Sequence, residues 1–103
     1  MRGLYHTLIP MRYLGIDYGS KKIGLAVSDE AGTMGFPHAI ISNTPRLLAE
    51  LCARIVKEHI GAVVIGESRN LAGGDNPIAK NATMLGERLA EHAGVPIFYE
   101  SEV

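Results

Sequence analysis

The sequence holds a single cysteine, Cys52, so no disulfide can form within the chain and a small disulfide-stapled scaffold is excluded. No apolar run approaches the roughly 20 residues that a membrane-spanning helix needs. The N-terminus also lacks the apolar core of a signal peptide. Together these two absences lead to the expectation of a cytoplasmic protein. There is no excess of basic residues either: ten Lys and Arg stand against eleven Asp and Glu, for a net charge of −1. Proteins that coat nucleic acid are usually basic, so any contact with nucleic acid here has to come from a local patch. Internal repeats and low-complexity segments are missing as well.

What is present fits one small domain. The 103 residues are 47% apolar and 20% charged, which is ordinary for a folded chain and unlike a disordered one. Residues 1–10 (MRGLYHTLIP) show no periodicity and end at Pro10, so they are expected to be an N-terminal extension. The domain itself is expected over residues 11–103, because Met11 opens a segment that looks like a natural start.

The pattern alternates strands and helices. Tyr13–Asp17 reads as a short buried strand that ends at Tyr18-Gly19. Over residues 22–28, Ile23, Leu25 and Val27 alternate with Gly24, Ala26 and Ser28, which predicts a second strand in a hairpin with the first. Pro37–Ser42 reads as a third strand. Thr44-Pro45 resembles an N-cap with proline at the first helical position. Leu47, Leu48, Leu51, Cys52, Ile55 and Val56 then recur at helical spacing, with Gly61 expected as the stop. On that face Cys52 reads as a small core residue rather than a reactive thiol.

Ala62–Gly66 is a fully apolar strand of the kind buried on both sides. A Gly-rich loop at 71–76 leads to a second helix that starts at Asn76-Pro77 and presents Ile78, Ala82, Leu85, Leu89 and Ala93. Gly94 ends it, and Val95–Tyr99 forms the last strand. The order β-β-β-α-β-α-β predicts an α/β fold with a mixed five-stranded sheet: a meander, then right-handed crossovers.

Strand ends are where chemistry can gather. Asp17 closes the first strand, the AVVIG strand runs into Glu67, and the last strand runs into Glu100, Ser101 and Glu102. Crossovers make these strands parallel, so their C-terminal ends share one sheet edge, where ligands of open α/β sheets bind. Carboxylates gathered there repel unless a cation neutralises them, and hard oxygen donors suit Mg²⁺ or Mn²⁺. Such metals can clamp the attacking and leaving oxygens of a phosphodiester.

Asp17, Glu67 and Glu102 are the candidate catalytic and metal-ligating residues. Each also has a plainer reading: Asp17 as a turn residue, Glu67 as the first solvated residue after a buried strand, Glu102 as a residue near the chain end. Lys21 and Lys22 place positive charge in the turn beside Asp17, and Arg69 follows Glu67. All three are candidates for contact with nucleic acid, or else solvated charges. Asp29 and Glu30 read as a solvated loop. His38, His59 and His92 show no metal-ligand spacing, and the last two read as helix-end residues favoured by the dipole.

The segment MRYLGIDYGSKKIGLAVSD closely resembles the opening of the YqgF/RuvX family, the Holliday-junction-resolvase-like nucleases of bacterial ribosomal RNA maturation. The resemblance covers about residues 11–103, with Val63–Gly66 as the apolar strand ending in glycine and Val95-Pro96-Ile97 leading to an acidic motif. It implies an RNase H-like fold, a divalent metal, and hydrolysis of the small-subunit (16S) rRNA precursor.

Three departures are visible. Gly66-Glu67-Ser68 stands where many members have Gly-Leu-Pro, and that Glu resembles the central-strand acid of RuvC-type resolvases. Ser101-Glu102-Val103 keeps only the Glu of the family's Asp-Glu-Arg. The family's last helix, with its own acid, has no counterpart, so the resemblance implies a C-terminally truncated domain with little nuclease activity of its own.

Other readings are a resolvase acting on branched DNA and a non-catalytic fragment that binds a partner, including a second copy, through sheet left uncovered around residues 95–103. An actin- or hexokinase-type ATP-binding fold also opens with Asp-x-Gly and a Gly-rich hairpin. It needs a second half-domain, which about 100 residues cannot supply.

Overall fold

A computed structural model describes residues 11–28, 34–67 and 77–100. The expected N-terminal extension at 1–10 lies outside the described residues.

Alternation builds the first hairpin. Strands β1 (Arg12–Tyr18) and β2 (Lys22–Ser28) pair antiparallel, from Leu14 opposite Val27 to Tyr18 opposite Ile23. Strand β3 (Met34–Ser42) pairs antiparallel with β2 and begins three residues before the expected Pro37. Strands β4 (Ile60–Glu67) and β5 (Ile97–Glu100) each run parallel to their neighbour, β4 to β1 and β5 to β4. The resulting sheet has the order β3-β2-β1-β4-β5, the mixed five-stranded sheet read from the pattern.

Helix α1 (Leu47–Lys57) links β3 to β4, and helix α2 (Pro77–Ala93) links β4 to β5. Both crossovers step across the sheet in the same direction, so right-handed connections set both helices on one face. The core follows from that. Leu14, Ile16 and Tyr18 of β1, Ile23 and Leu25 of β2, and Val63 and Ile65 of β4 form one cluster with Leu47, Leu51 and Ile55 of α1 and Ala82, Leu85 and Leu89 of α2. Leu14, Ile23, Leu51 and Leu89 are completely buried. Truncating one such leucine to alanine costs about 2–5 kcal/mol, a large share of the stability of a small domain.

Boundaries depart from the sequence pattern where local hydrogen bonds win. Thr44 is not the cap of α1: its Oγ accepts the Arg46 N–H at 3.2 Å and its carbonyl accepts the Leu47 N–H at 2.9 Å. Those bonds make a turn of residues 44–46, and the helix begins one step later. Nor does Gly61 stop the helix. His59 takes the left-handed conformation, with φ 57°, and Gly61 lies inside β4, where a Cβ would stand 2.7 Å from Met11 Cγ. Val56, expected on the apolar face, is 75% exposed. The end of α2 is as expected, with Gly94 at φ 71° donating its N–H to the Ala90 carbonyl at 3.1 Å.

Ser28 ends β2 fully buried because its Oγ accepts the Tyr13 N–H at 2.7 Å. Arg12 ties the start of β1 to the end of α1, reaching both the carboxylate and the carbonyl of Glu58, at 3.3 and 3.2 Å.

Candidate active site

Residues paired across a sheet share a face, so the registers place side chains in rows. One row crosses all five strands: Ile40 pairs with Gly24, Gly24 with Asp17, Asp17 with Gly66, and Gly66 with Glu100. The neighbouring position on each strand belongs to the core. Ile16, Leu25 and Ile65 are buried against the helices, so the Asp17 row lies on the opposite face. Asp17 is exposed, near the C-terminal end of the central strand.

Two glycines shape its surroundings. A Cβ at Gly24 would stand 3.4 Å from Asp17 Cβ and 4.0 Å from Oδ2, so the bare Gly24 leaves room beside the carboxylate. Among the described residues, a Cβ at Gly66 would come within 4 Å of the Glu100 carbonyl oxygen alone, at 3.9 Å, so none of them fills the ground between Asp17 and Glu100. Two strand spacings separate these residues, about 10 Å between Cα atoms, and Glu100 is exposed like Asp17.

The expected residues fall as follows. Asp17 stands in the row. Glu67 is the last residue of β4 and pairs with Tyr18, one register position beyond it. Glu102 and Arg69 lie outside the described residues, as do Asp29 and Glu30. Lys21 and Lys22 are exposed, in the turn and at the first position of β2. Among the described residues no group of three or more His, Cys, Asp or Glu side chains converges on a point. His59 and His92 stand at helix ends, the latter 3.8 Å from Glu91. Cys52 packs half-buried against the core.

Two residues emerge that motif reading did not select. Glu100 reaches the Asp17 row through the β4–β5 register. Asn43, just past β3, donates its backbone N–H to the Lys21 carbonyl and its side-chain N–H to the Gly19 carbonyl, both at 2.9 Å. The only available signal for Asn43 was its residue type, which commonly bonds to backbone in turns.

Comparison with known proteins bears on the family and the fold. The family model described as "RuvX: Holliday junction resolvase" matches residues 11–103. A relative from Nitratidesulfovibrio vulgaris (strain DSM 19637 / Miyazaki F), named "Putative pre-16S rRNA nuclease", is 37% identical over 94 residues, covering 89% of this chain and 66% of that protein. One of the same name from Oleidesulfovibrio alaskensis is 33% identical, covering 89% of this chain and 65% of the relative. The chain thus spans just under two thirds of the length of these relatives. Among solved structures, Thermus thermophilus RuvC in complex with a Holliday junction substrate superposes with a TM-score of 0.63 at 20% identity, covering 88% of this chain and 64% of that one. That likeness shows the fold, which is RNase H-like. With its entire sheet inside the matched segment, the chain belongs to the RuvX family.

Proposed function

We propose that this chain carries the catalytic sheet of a divalent-metal-dependent endonuclease that processes the 16S rRNA precursor. The observation that carries the reading is Asp17, exposed near the end of the central strand between two glycines, with a second exposed carboxylate on its row. The substrate follows from the name its relatives bear.

In this reading Asp17 holds Mg²⁺ or Mn²⁺ together with Glu100 of its row and with Glu102; Glu67, the other candidate from the sequence, pairs one position past that row, with the buried Tyr18. The donor chemistry fits, since carboxylate oxygens are the ligands hard cations prefer. The bare Gly66 leaves open the space such an ion needs beside Asp17. Bound there, the ion would polarise the scissile phosphodiester and neutralise charge developing on its oxygens. Lys21, Lys22 and Arg69 hold the flanking phosphates, a local positive patch on a chain whose net charge is −1. The cytoplasm, where ribosomal precursors mature in bacteria, is the compartment this reading requires. Among the described residues no helix is long and apolar enough to cross a membrane.

Calorimetry tests the site directly. Mn²⁺ should bind the chain weakly, and Asp17→Asn should abolish the binding. Equal affinity in both proteins would remove Asp17 from the site.

The family description favours a second reading, a resolvase acting on branched DNA. Longer protein that includes the relatives' remaining third, offered a precursor-rRNA helix and a four-way DNA junction in competition, separates the two: preferential cutting of the junction would overturn the RNA assignment. Self-association is a separate proposal: Phe98 of β5 is 53% exposed on the face away from both helices and marks the C-terminal sheet region as the surface on which a second copy docks.

A further inference from the structure

We propose that Asn43 is a positioning residue that sets the Gly19–Lys22 turn to present donors, and not carbonyl oxygens, to a nucleic-acid phosphate. The inference rests on the reading of Lys21 and Lys22 as backbone contacts. Its basis is geometric. Asn43 directs two donors at the turn, its main-chain N–H to the Lys21 carbonyl and its side-chain Nδ2–H to the Gly19 carbonyl, both at 2.9 Å.

A carbonyl oxygen facing a phosphate would repel it. Here two carbonyls of the turn are occupied by Asn43. In a trans peptide the N–H points opposite to the C=O. With the Gly19 carbonyl aimed at Asn43, the Ser20 N–H points away from it. Ser20, Lys21 and Lys22 are all exposed. The turn therefore offers one outward backbone donor and two ammonium groups, a short form of the backbone concavities that bind anions.

Asn43 is also well placed to keep that geometry fixed. It is half-buried between the end of β3 and Thr44, whose own bonds to Arg46 and Leu47 start α1. The turn is thus clamped to the sheet and to the first turn of a helix that packs into the core.

The test uses a short RNA oligonucleotide and measures affinity across a salt series. Changing Lys21 and Lys22 together to alanine should lower the salt slope by between one and two units, since each phosphate contact contributes about 0.7–0.9. Asn43→Ala should weaken RNA binding by about three- to tenfold, the range for one lost hydrogen bond. It should also lower the slope by at least half a unit, leaving Mn²⁺ affinity unchanged. A purely structural role would move melting temperature without moving the slope.

If the lysine pair lowers the slope and Asn43→Ala does not, the inference is overturned and the reading of the lysines stands. If the lysine pair has no effect, the phosphate-binding reading of the turn fails, and this inference with it. Should Asn43→Ala fail to fold, amide resonances of the wild-type chain decide during titration with the same RNA. Movement of the Ser20 N–H supports the proposal, and a stationary Ser20 overturns it.

Discussion

Replacing Gly66 by alanine should make the protein more stable and its cation site worse. The backbone there is extended, and Gly94 is the glycine with positive φ among the described residues, so alanine meets no conformational strain at 66. Among the described residues the added Cβ would come no nearer to another atom than 3.9 Å, which is ordinary contact. Restricting the unfolded chain then stabilises the fold by about 0.4–1 kcal/mol. For a domain of this size that is a rise of roughly 2–8 °C in melting temperature.

The same methyl sits midway along the row between Asp17 and Glu100. Ligand oxygens must approach a hard cation to about 2.1–2.6 Å, and a methyl carbon standing on the site floor holds them further off. Mn²⁺ affinity should fall at least about tenfold, equivalent to roughly 1.4 kcal/mol. Thermal denaturation and calorimetry on one preparation give both numbers. A lower melting temperature would show that the space over Gly66 is not open. A higher melting temperature with unchanged Mn²⁺ affinity would show that the cation sits elsewhere.

Gly86 should behave in the opposite way. A Cβ there would overlap Tyr99 Oη, stand 2.8 Å from its Cζ and lie 3.1 Å from Ile97 Cγ2, so Gly86→Ala should destabilise by about 1–2 kcal/mol through overpacking, despite the helix propensity alanine gains. In a Tyr99→Ala background the same change should turn neutral or stabilising, and urea titration of the four proteins reads the reversal; the same sign in both backgrounds refutes it. Light scattering should show concentration-dependent association that Phe98→Asp abolishes, whereas a wild-type chain that stays monomeric at high concentration removes the β5 face as a docking surface.

Tyr99 shows why the helix face of the sheet was easier to read than the other. Its hydroxyl donates to the Thr83 carbonyl at 3.2 Å, and burial, with a smaller contribution from Glu87, pushes its pKa above the ordinary tyrosine value. That face is held by periodic apolar residues. Ile23 and Leu25 announce β2 by alternation, and Ala82, Leu85 and Leu89 announce α2 by helical spacing, because period and burial are the same physical fact. Boundaries set by single hydrogen bonds carried no such period. Thr44 could as well cap a helix as close a turn, and the left-handed residue after α1 proved to be His59 where glycine was the natural choice.

The site divides along the same line. Asp17 was legible because an acid at the end of an apolar strand breaks the pattern. Glu100 was visible as an acid, but its partner was not, because the offset between two parallel strands joined by a helix is decided by how that helix packs. Gly86 bears on that offset: α2 lies close enough to β5 for Tyr99 and Ile97 to cross its only helical glycine, which helps hold Tyr99 opposite Ile65 and thereby Glu100 opposite Gly66. The acid that shares a row with Asp17 is in this sense chosen by a glycine fourteen residues before it, on the far side of the sheet.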